Sequence, residues 1–329
     1  MSFLTIFTAP KPFTNPHIAL IQRNAIRSWL QLDYSYQEAE KHGKLSEYTQ
    51  SKGSAIEVIL LGEETGLAEV SAELGVKHIP DVKRNSLGTP LVSSMFDQVR
   101  KATDSPYLGC VNADILFLPD VLLAVRRLAA QKERFLMVGQ RWDLEVKELL
   151  DFSPGWDTRL INQLQSEGKL HPRGGSDYFI FPRQCFTEIP DFTIGRAGWD
   201  NWMIYEARSR GWLTVDCTQD LNAVHQNHDY SHLPNGQPHY RLPETAENVR
   251  LAGGRMTIFT IQDTNRQLIN GRIVSPRMEW RKLWREVEIY PLVGLHSMIL
   301  GWLFYHLFHP LKAYEALRHW LVELKGRIR

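Results

Sequence analysis

Four short apolar runs, each leading into a stretch of helical periodicity, fill residues 1–140 and constrain the chain more than anything else in it. The runs are SFLTIFT, AIEVILLG, YLGCV and FLMVG. Each is short, continuous and rich in aliphatic or aromatic side chains, the pattern of a strand buried on both faces. After the first, Asn15-Pro16 supplies a cap and a first-turn proline, and Ile18, Ile21, Ala25, Ile26, Trp29 and Leu30 recur at helical spacing. TGLAEVSAELG reads as a helix closed by Gly75. Further helices start at Thr89-Pro90 and at Pro119. Strand and helix in alternation predict a mostly parallel sheet with helices on both faces. Ligands of such sheets bind at the carboxyl ends of the strands, so polar residues just after a run are the first candidates for a site.

Composition narrows the classes. With 329 residues, the chain suits one large α/β domain or two ordinary ones. Lys and Arg number 38 against 37 Asp and Glu, so there is no basic excess of the kind that grips phosphate backbones, and nucleic acid is not an expected partner. Three cysteines, Cys110, Cys185 and Cys217, have no paired spacing, which argues against a disulfide framework and for a reducing compartment. The opening MSFLTIFTAPKPF reads as a first strand rather than a leader, and a cytoplasmic location is expected. Residues 36–54 are polar, as a surface insertion or a solvated helix and loop would be.

Directly after YLGCV comes Asn112-Ala113-Asp114. Alternate residues of an extended segment point the same way, so Asn112 and Asp114 can face one ligand. Either Asp114 caps the following turn, or the pair helps hold Mg²⁺ or Mn²⁺ on a diphosphate, since such ions take few protein ligands and leave the rest to phosphate and water.

With LTIFTAPKPF as first strand and GTPLVSSMFDQVRKATDSPYLGCV as helix and strand leading into NAD, residues 3–232 resemble the GT-A glycosyltransferases, nucleotide-diphosphosugar transferases of the family-2-like type. The resemblance implies a GT-A-like (Rossmann-like) domain over residues 1–250. Its nucleotide-sugar half would run to about residue 140 and its acceptor half over 141–250, with a C-terminal helical region at 251–329. Thr8, Ala9, Asn112 and Asp114 would bind the nucleotide-sugar, a UDP- or GDP-sugar. Asp114 would touch Mn²⁺ or Mg²⁺, with Asn112 standing where the family has an acid; restoring the acid by Asn112→Asp is expected to tighten the metal.

The acceptor half supplies the remaining candidates. HPRGGSDYFIFPR sets a glycine turn before a strand, and the resemblance makes Gly175 and Asp177 part of the floor for sugar and acceptor. Otherwise Asp177 bonds turn amides. In GRAGWDNWMIYEARSRG, Asp200 falls in the first turn of a helix, an ordinary place for an acid on dipole grounds. The resemblance makes it the general base of an inverting transfer. Trp199 and Trp202 flank it, to stack on a sugar ring or to pack on the sheet. AVHQNHDYSH carries His225, His228 and His232; by resemblance His225 or His228 ligates the metal, for which neutral imidazole is suited. The acceptor would be a glycan, lipid or small molecule. Two other readings stand beside a hexosyltransferase: a catalytically silent, membrane-peripheral nucleotide-sugar-binding protein, and a sugar-nucleotide nucleotidyltransferase, disfavoured because APKPF lacks a glycine-rich phosphate loop.

From Tyr290 to Pro310 the sequence has no Asp, Glu, Lys or Arg. Arg281, Lys282 and Arg285 precede this stretch and a net-basic tail follows. It has the length of a bilayer span, the aromatic and basic flanks of an interfacial helix, and the apolarity of a buried homodimer interface. Attachment to a membrane surface without crossing it is the expectation carried forward.

Overall fold

The computed structural model describes residues 1–41, 55–228 and 242–312, together with 314 and 318. In chain order the first half runs β1 (Leu4–Thr8), α1 (Pro16–Lys41), β2 (Ile56–Leu61), α2 (Leu67–Leu74), β3 (Lys77–Ile79), α3 (Val92–Ala102), β4 (Tyr107–Val111), β5 (Ile115–Phe117), α4 (Asp120–Ala129) and β6 (Phe135–Val138). There follow β7 (Arg141–Leu144), α5 (Trp156–Glu167), β8 (Lys169–Leu170), β9 (Tyr178–Pro182), α6 (Trp199–Ser209), β10 (Leu213–Asp216), β11 (Ala223–Gln226) and α7 (Pro243–Leu251). The chain closes with β12 (Arg266–Ile269), β13 (Arg272–Val274), α8 (Trp280–Val293) and α9 (Met298–Phe308).

Nine strands form one sheet in the order β13-β12-β10-β6-β9-β4-β1-β2-β3. All neighbours are parallel except β9, which runs against both β4 and β6, and β13, which runs against β12. Side chains of the inner strands alternate between two cores. Leu4, Ile6, Val58 and Leu60 pack under α1 and α4. Phe7, Ile59, Leu61, Leu108 and Cys110 pack under α3 and α6. Burial on both faces is why these strands read as unbroken apolar runs, and the expected α/β class, with a helical appendage after it, is what the chain adopts.

Local signals set the helix ends. The Asn15 side chain accepts from the amides of His17 and Ile18, at 2.9 and 3.1 Å, and caps α1 as its sequence position suggests. Gly75 closes α2 in the left-handed region at φ 66°. A smaller sheet, ordered β5-β11-β7-β8, sits at the carboxyl ends of β4 and β6. Beyond residue 250, β12 and β13 extend the main sheet, and among the described residues α8 and α9 follow them. All three cysteines are buried and unbonded.

Candidate functional site

The antiparallel register of β4 with β9 brings the end of one strand to the beginning of the other. The Asn112 amide donates to the Asp177 carbonyl at 2.8 Å, and the Asn112 side chain donates to Asp177 Oδ1, also at 2.8 Å. Asp114 lies in the turn from β4 to β5. Its carbonyl accepts from both the backbone and the side chain of buried Gln226, each at 3.2 Å, which fixes the turn against β11. β11 pairs with β5 on one side and β7 on the other, and so carries His225 to the Asp114 carboxylate. His225 Nε2 lies 4.0 Å from Asp114 Oδ2, and His228 Nε2 lies 3.1 Å from it. The ligand atoms of Asp114, His225 and His228 all fall within 4.8 Å of one another. The other Asp114 oxygen, Oδ1, is buried and has no hydrogen-bond partner among the described residues. One carboxylate and two imidazoles with an uncommitted oxygen fit a divalent ion.

Electrostatics favours the ligating forms. Burial alone would raise the Asp114 pKa. The hydrogen bond from His228 and the charges of His225 and Lys11 outweigh it and hold the carboxyl far below the usual range. Burial pushes His225 below its ordinary value against the pull of Asp114, which favours neutral imidazole.

Four residues at this site escaped the sequence reading. Lys11 Nζ sits 3.4 Å from His228 Nε2, with the Lys11 backbone clamped to the Gln22 side chain at 2.6 and 2.9 Å. Asp143 Oδ1 bonds His225 Nδ1 at 3.1 Å, and Asp143 Oδ2 bonds His171 Nδ1 at 2.7 Å. Arg141 bridges two acids, reaching Asp143 Oδ1 at 3.0 Å and Asp177 Oδ2 at 2.6 Å. The run His228, Asp114, His225, Asp143, Arg141, Asp177, Asn112 is thus continuous across β7, β11 and the segments that flank β4, β9 and β11. The available signal was RWDL one residue after FLMVG: Arg141 and Asp143 sit two apart after a strand.

Thr8 is buried and Ala9 half-buried at the end of β1, where the pairing of Phe7 with Cys110 sets them beside Val111 and Asn112. Gly175 stands in open space before β9, where an added Cβ would touch nothing within 4 Å. Asp177 is committed to Asn112 and Arg141, more than a turn cap would be. The Asn112–Asp177 bond reverses the expectation for Asn112→Asp: a carboxylate there would face that of Asp177 at hydrogen-bond distance.

Asp200 opens α6, with Oδ1 accepting the Gly198 amide at 3.0 Å. Burial raises its pKa to about 6, against bonds from the Asn201 and Gly198 amides, and the Asp177 charge adds to the rise. Gly198 has φ 112°, and a Cβ on it would sit 3.2 Å from Asn248 Cβ. Trp199 and Trp202 are each 6% exposed. Trp199 packs on Phe179, and Trp202 on Phe186 and Phe192, so the indoles serve the core beneath α6. His232 lies outside the described residues.

No family model matches the chain, and no curated protein does. Among solved structures it is similar to the mannosyltransferase PcManGT of Pyrobaculum calidifontis in complex with GDP-Man and Mn²⁺, at 12% identity and TM-score 0.39, over 78% of this chain and 62% of that one. It is similar to glucosyl-3-phosphoglycerate synthase of Mycobacterium tuberculosis with Mn²⁺, UDP and glucosyl-3-phosphoglycerate, at 13% identity and TM-score 0.42, over 77% and 80%. A third similar structure is S. aureus TarS 1-349 with UDP-GlcNAc, at 11% identity and TM-score 0.43, over 77% and 66%. The chain thus spans less than two thirds of the mannosyltransferase's length.

Proposed function

We propose that the chain is a glycosyltransferase that moves a hexosyl group from a UDP- or GDP-sugar to an acceptor hydroxyl with inversion at the anomeric carbon. The observation that carries the reading is Asp114: a buried carboxylate at a strand's carboxyl end, flanked by two imidazoles, with one oxygen uncommitted. Asp114, His225 and His228 would hold Mg²⁺ or Mn²⁺. Such an ion neutralises charge on a departing diphosphate.

The rest belongs to the protein's own groups. Thr8, Ala9 and Asn112, at the adjacent ends of β1 and β4, are assigned to the nucleotide-sugar, and Lys11 adds a cation beside His228. Gly175 and Asp177 are assigned to the floor for sugar and acceptor. Asp200, ionised, accepts the proton of the acceptor hydroxyl as its oxygen attacks the anomeric carbon; the bond from that carbon to the diphosphate oxygen breaks on the opposite face. A pKa near 6 suits a base working at neutral pH. The acceptor is a glycan, lipid or small molecule, and the location is cytoplasmic, with the C-terminal helices as the part that meets a membrane surface.

The test is release of nucleoside diphosphate from a panel of UDP- and GDP-hexoses with Mn²⁺ or Mg²⁺, read beside a thermal shift. Turnover lost in Asp114→Ala supports the reading. A thermal shift without turnover across donors and acceptors would instead favour a silent binding protein.

A further inference from the structure

Helix α8 is built inside out. Trp280, Leu283, Trp284, Val287 and Tyr290 recur at three- and four-residue spacing, and all five are exposed. Four of its five charged residues, Lys282, Arg285, Glu286 and Glu288, turn inward. Lys282 pairs with Glu286, Glu286 with Arg208 of α6, and Arg285 with both Asp263 and Glu288. His309 closes the set on Glu288 at 3.0 Å. Polar anchoring to the α/β domain therefore fixes which face of the helix looks out, and that face is apolar. The expectation that Lys282 and Arg285 would face lipid is corrected by these pairs; of the three basic residues before the uncharged stretch, Arg281 alone is exposed.

Helix α9 extends the surface. Gly301 leaves room for Leu292, so the two helices pack closely, while Ile299 (77% exposed) and Leu307 point out with Trp302. Of the nineteen large hydrophobics exposed among the described residues, fifteen lie between Met278 and Tyr314; this is one surface, not scatter. Among the described residues no helix is long and apolar enough to cross a membrane. The eleven residues of α9 span about 16 Å, roughly half a hydrocarbon core.

We propose that the outward faces of α8 and α9 dock on the surface of an anionic lipid bilayer. Exposed tryptophans suit the headgroup boundary. The exposed charges of described residues 275–318 are basic, Arg277, Arg281, Lys312 and Arg318, with Glu279 the one acid, so the rim of the surface is complementary to anionic headgroups. A second copy of the chain meeting the same face would set these basic rims against each other. The surface is separate from Asp114, and its test needs no catalytic readout.

The experiment is co-sedimentation of the full chain with vesicles of phosphatidylcholine alone and of phosphatidylcholine with 30% phosphatidylglycerol, over a salt series. Expected are binding to the anionic vesicles, weakening as salt rises, and a loss of at least tenfold in Ile299→Glu/Leu307→Glu with an unchanged melting temperature. Arg281→Glu/Lys312→Glu should remove the preference for anionic lipid while the protein stays folded. Binding to neither vesicle overturns the proposal, as does binding that these variants leave unchanged. A solution dimer dispersed by Ile299→Glu/Leu307→Glu, with no vesicle binding, would assign the face to a second copy and overturn it too.

Discussion

His225 and Asp143 are register partners on neighbouring parallel strands, and their side chains meet, Nδ1 to Oδ1, at 3.1 Å. One ring nitrogen is thereby committed to a carboxylate, and the other, Nε2, is turned towards Asp114. A carboxylate on the far side of a ligating imidazole fixes its tautomer and raises its basicity. Asp143 is itself held by Arg141 and His171, which with burial opposing them still bring its carboxyl below the ordinary value.

Asp143→Ala should therefore weaken Mn²⁺ binding by about 10–100-fold, the usual effect of removing such a partner. Asp143→Asn should recover part of the loss, because the amide oxygen can still accept from Nδ1. Electron paramagnetic resonance titration of free Mn²⁺ against the protein, without donor, measures this. Equal affinity in all three proteins would show that His225 is not positioned through Asp143.

Asn112→Asp should lower the melting temperature and leave metal affinity no better than in the parent chain. Its Nδ2 is the donor that satisfies Asp177 Oδ1, and Arg141 takes only the other oxygen. Replacing that donor by a carboxylate puts like charges at hydrogen-bond distance in a half-buried place, a repulsion of the kind that protonates one partner or opens the pair. Calorimetric unfolding beside an Mn²⁺ titration decides it; tighter metal binding would contradict the geometry.

The sheet and the two acids, Asp114 and Asp200, were legible because their signals are local. Buried parallel strands must be apolar throughout, and Asp114 and Asp200 follow directly from a strand end and a helix start. The partners of these acids were not legible for the opposite reason. His225 meets Asp143 across 82 residues through a four-residue register, and neither β7 (RWDL) nor β11 (AVHQ) carries the unbroken apolar run that announces β6. Trp199 and Trp202 beside an acid read equally as sugar platforms or as sheet packing, and helical spacing turns both into the phenylalanines below α6. The uncharged stretch after α8 was plain in the sequence. The inward turn of Arg285 depended on Asp263, and that of Lys282 on the carbonyls of Gln262 and Thr264, which no spacing rule connects to them.

Gly198→Ala should destabilise the fold by about 1–3 kcal/mol, the cost of holding a non-glycine residue in a sparsely populated backbone region. The local contacts leave little room to relax. Asn248, which the new Cβ would press, donates to the carbonyls of Thr193 and Arg196 and accepts the Thr193 amide. The Asp200 carboxylate would lose its fixed amide at the same stroke. Chemical denaturation gives the stability, and unaltered stability would show that the loop before α6 adapts freely.

Asp200→Asn separates a catalytic role from a structural one through pH. If Asp200 is the base, its ionised form is the active one, so kcat/KM of the parent should rise through about pH 6 and level above it. The variant should lose about 10²–10⁴ in turnover, with little change in donor affinity and no limb near pH 6. Stability should move the other way. A carboxyl whose folded pKa is raised from 3.8 to about 6 holds its proton in the folded state where the unfolded chain has released it. Across that window the folded protein binds more protons, so its stability falls as pH rises, and above pH 6 the full cost of a buried charge is carried. Asparagine has no charge to bury. The variant should accordingly melt higher than the parent at pH 7–8, and the difference should shrink as pH is lowered from 6 to 4. Melting curves over pH 4–8 beside the rate profile test both halves. A variant that melts lower at pH 7–8, and loses donor affinity in proportion to rate, would make Asp200 a cap of α6 and not the base.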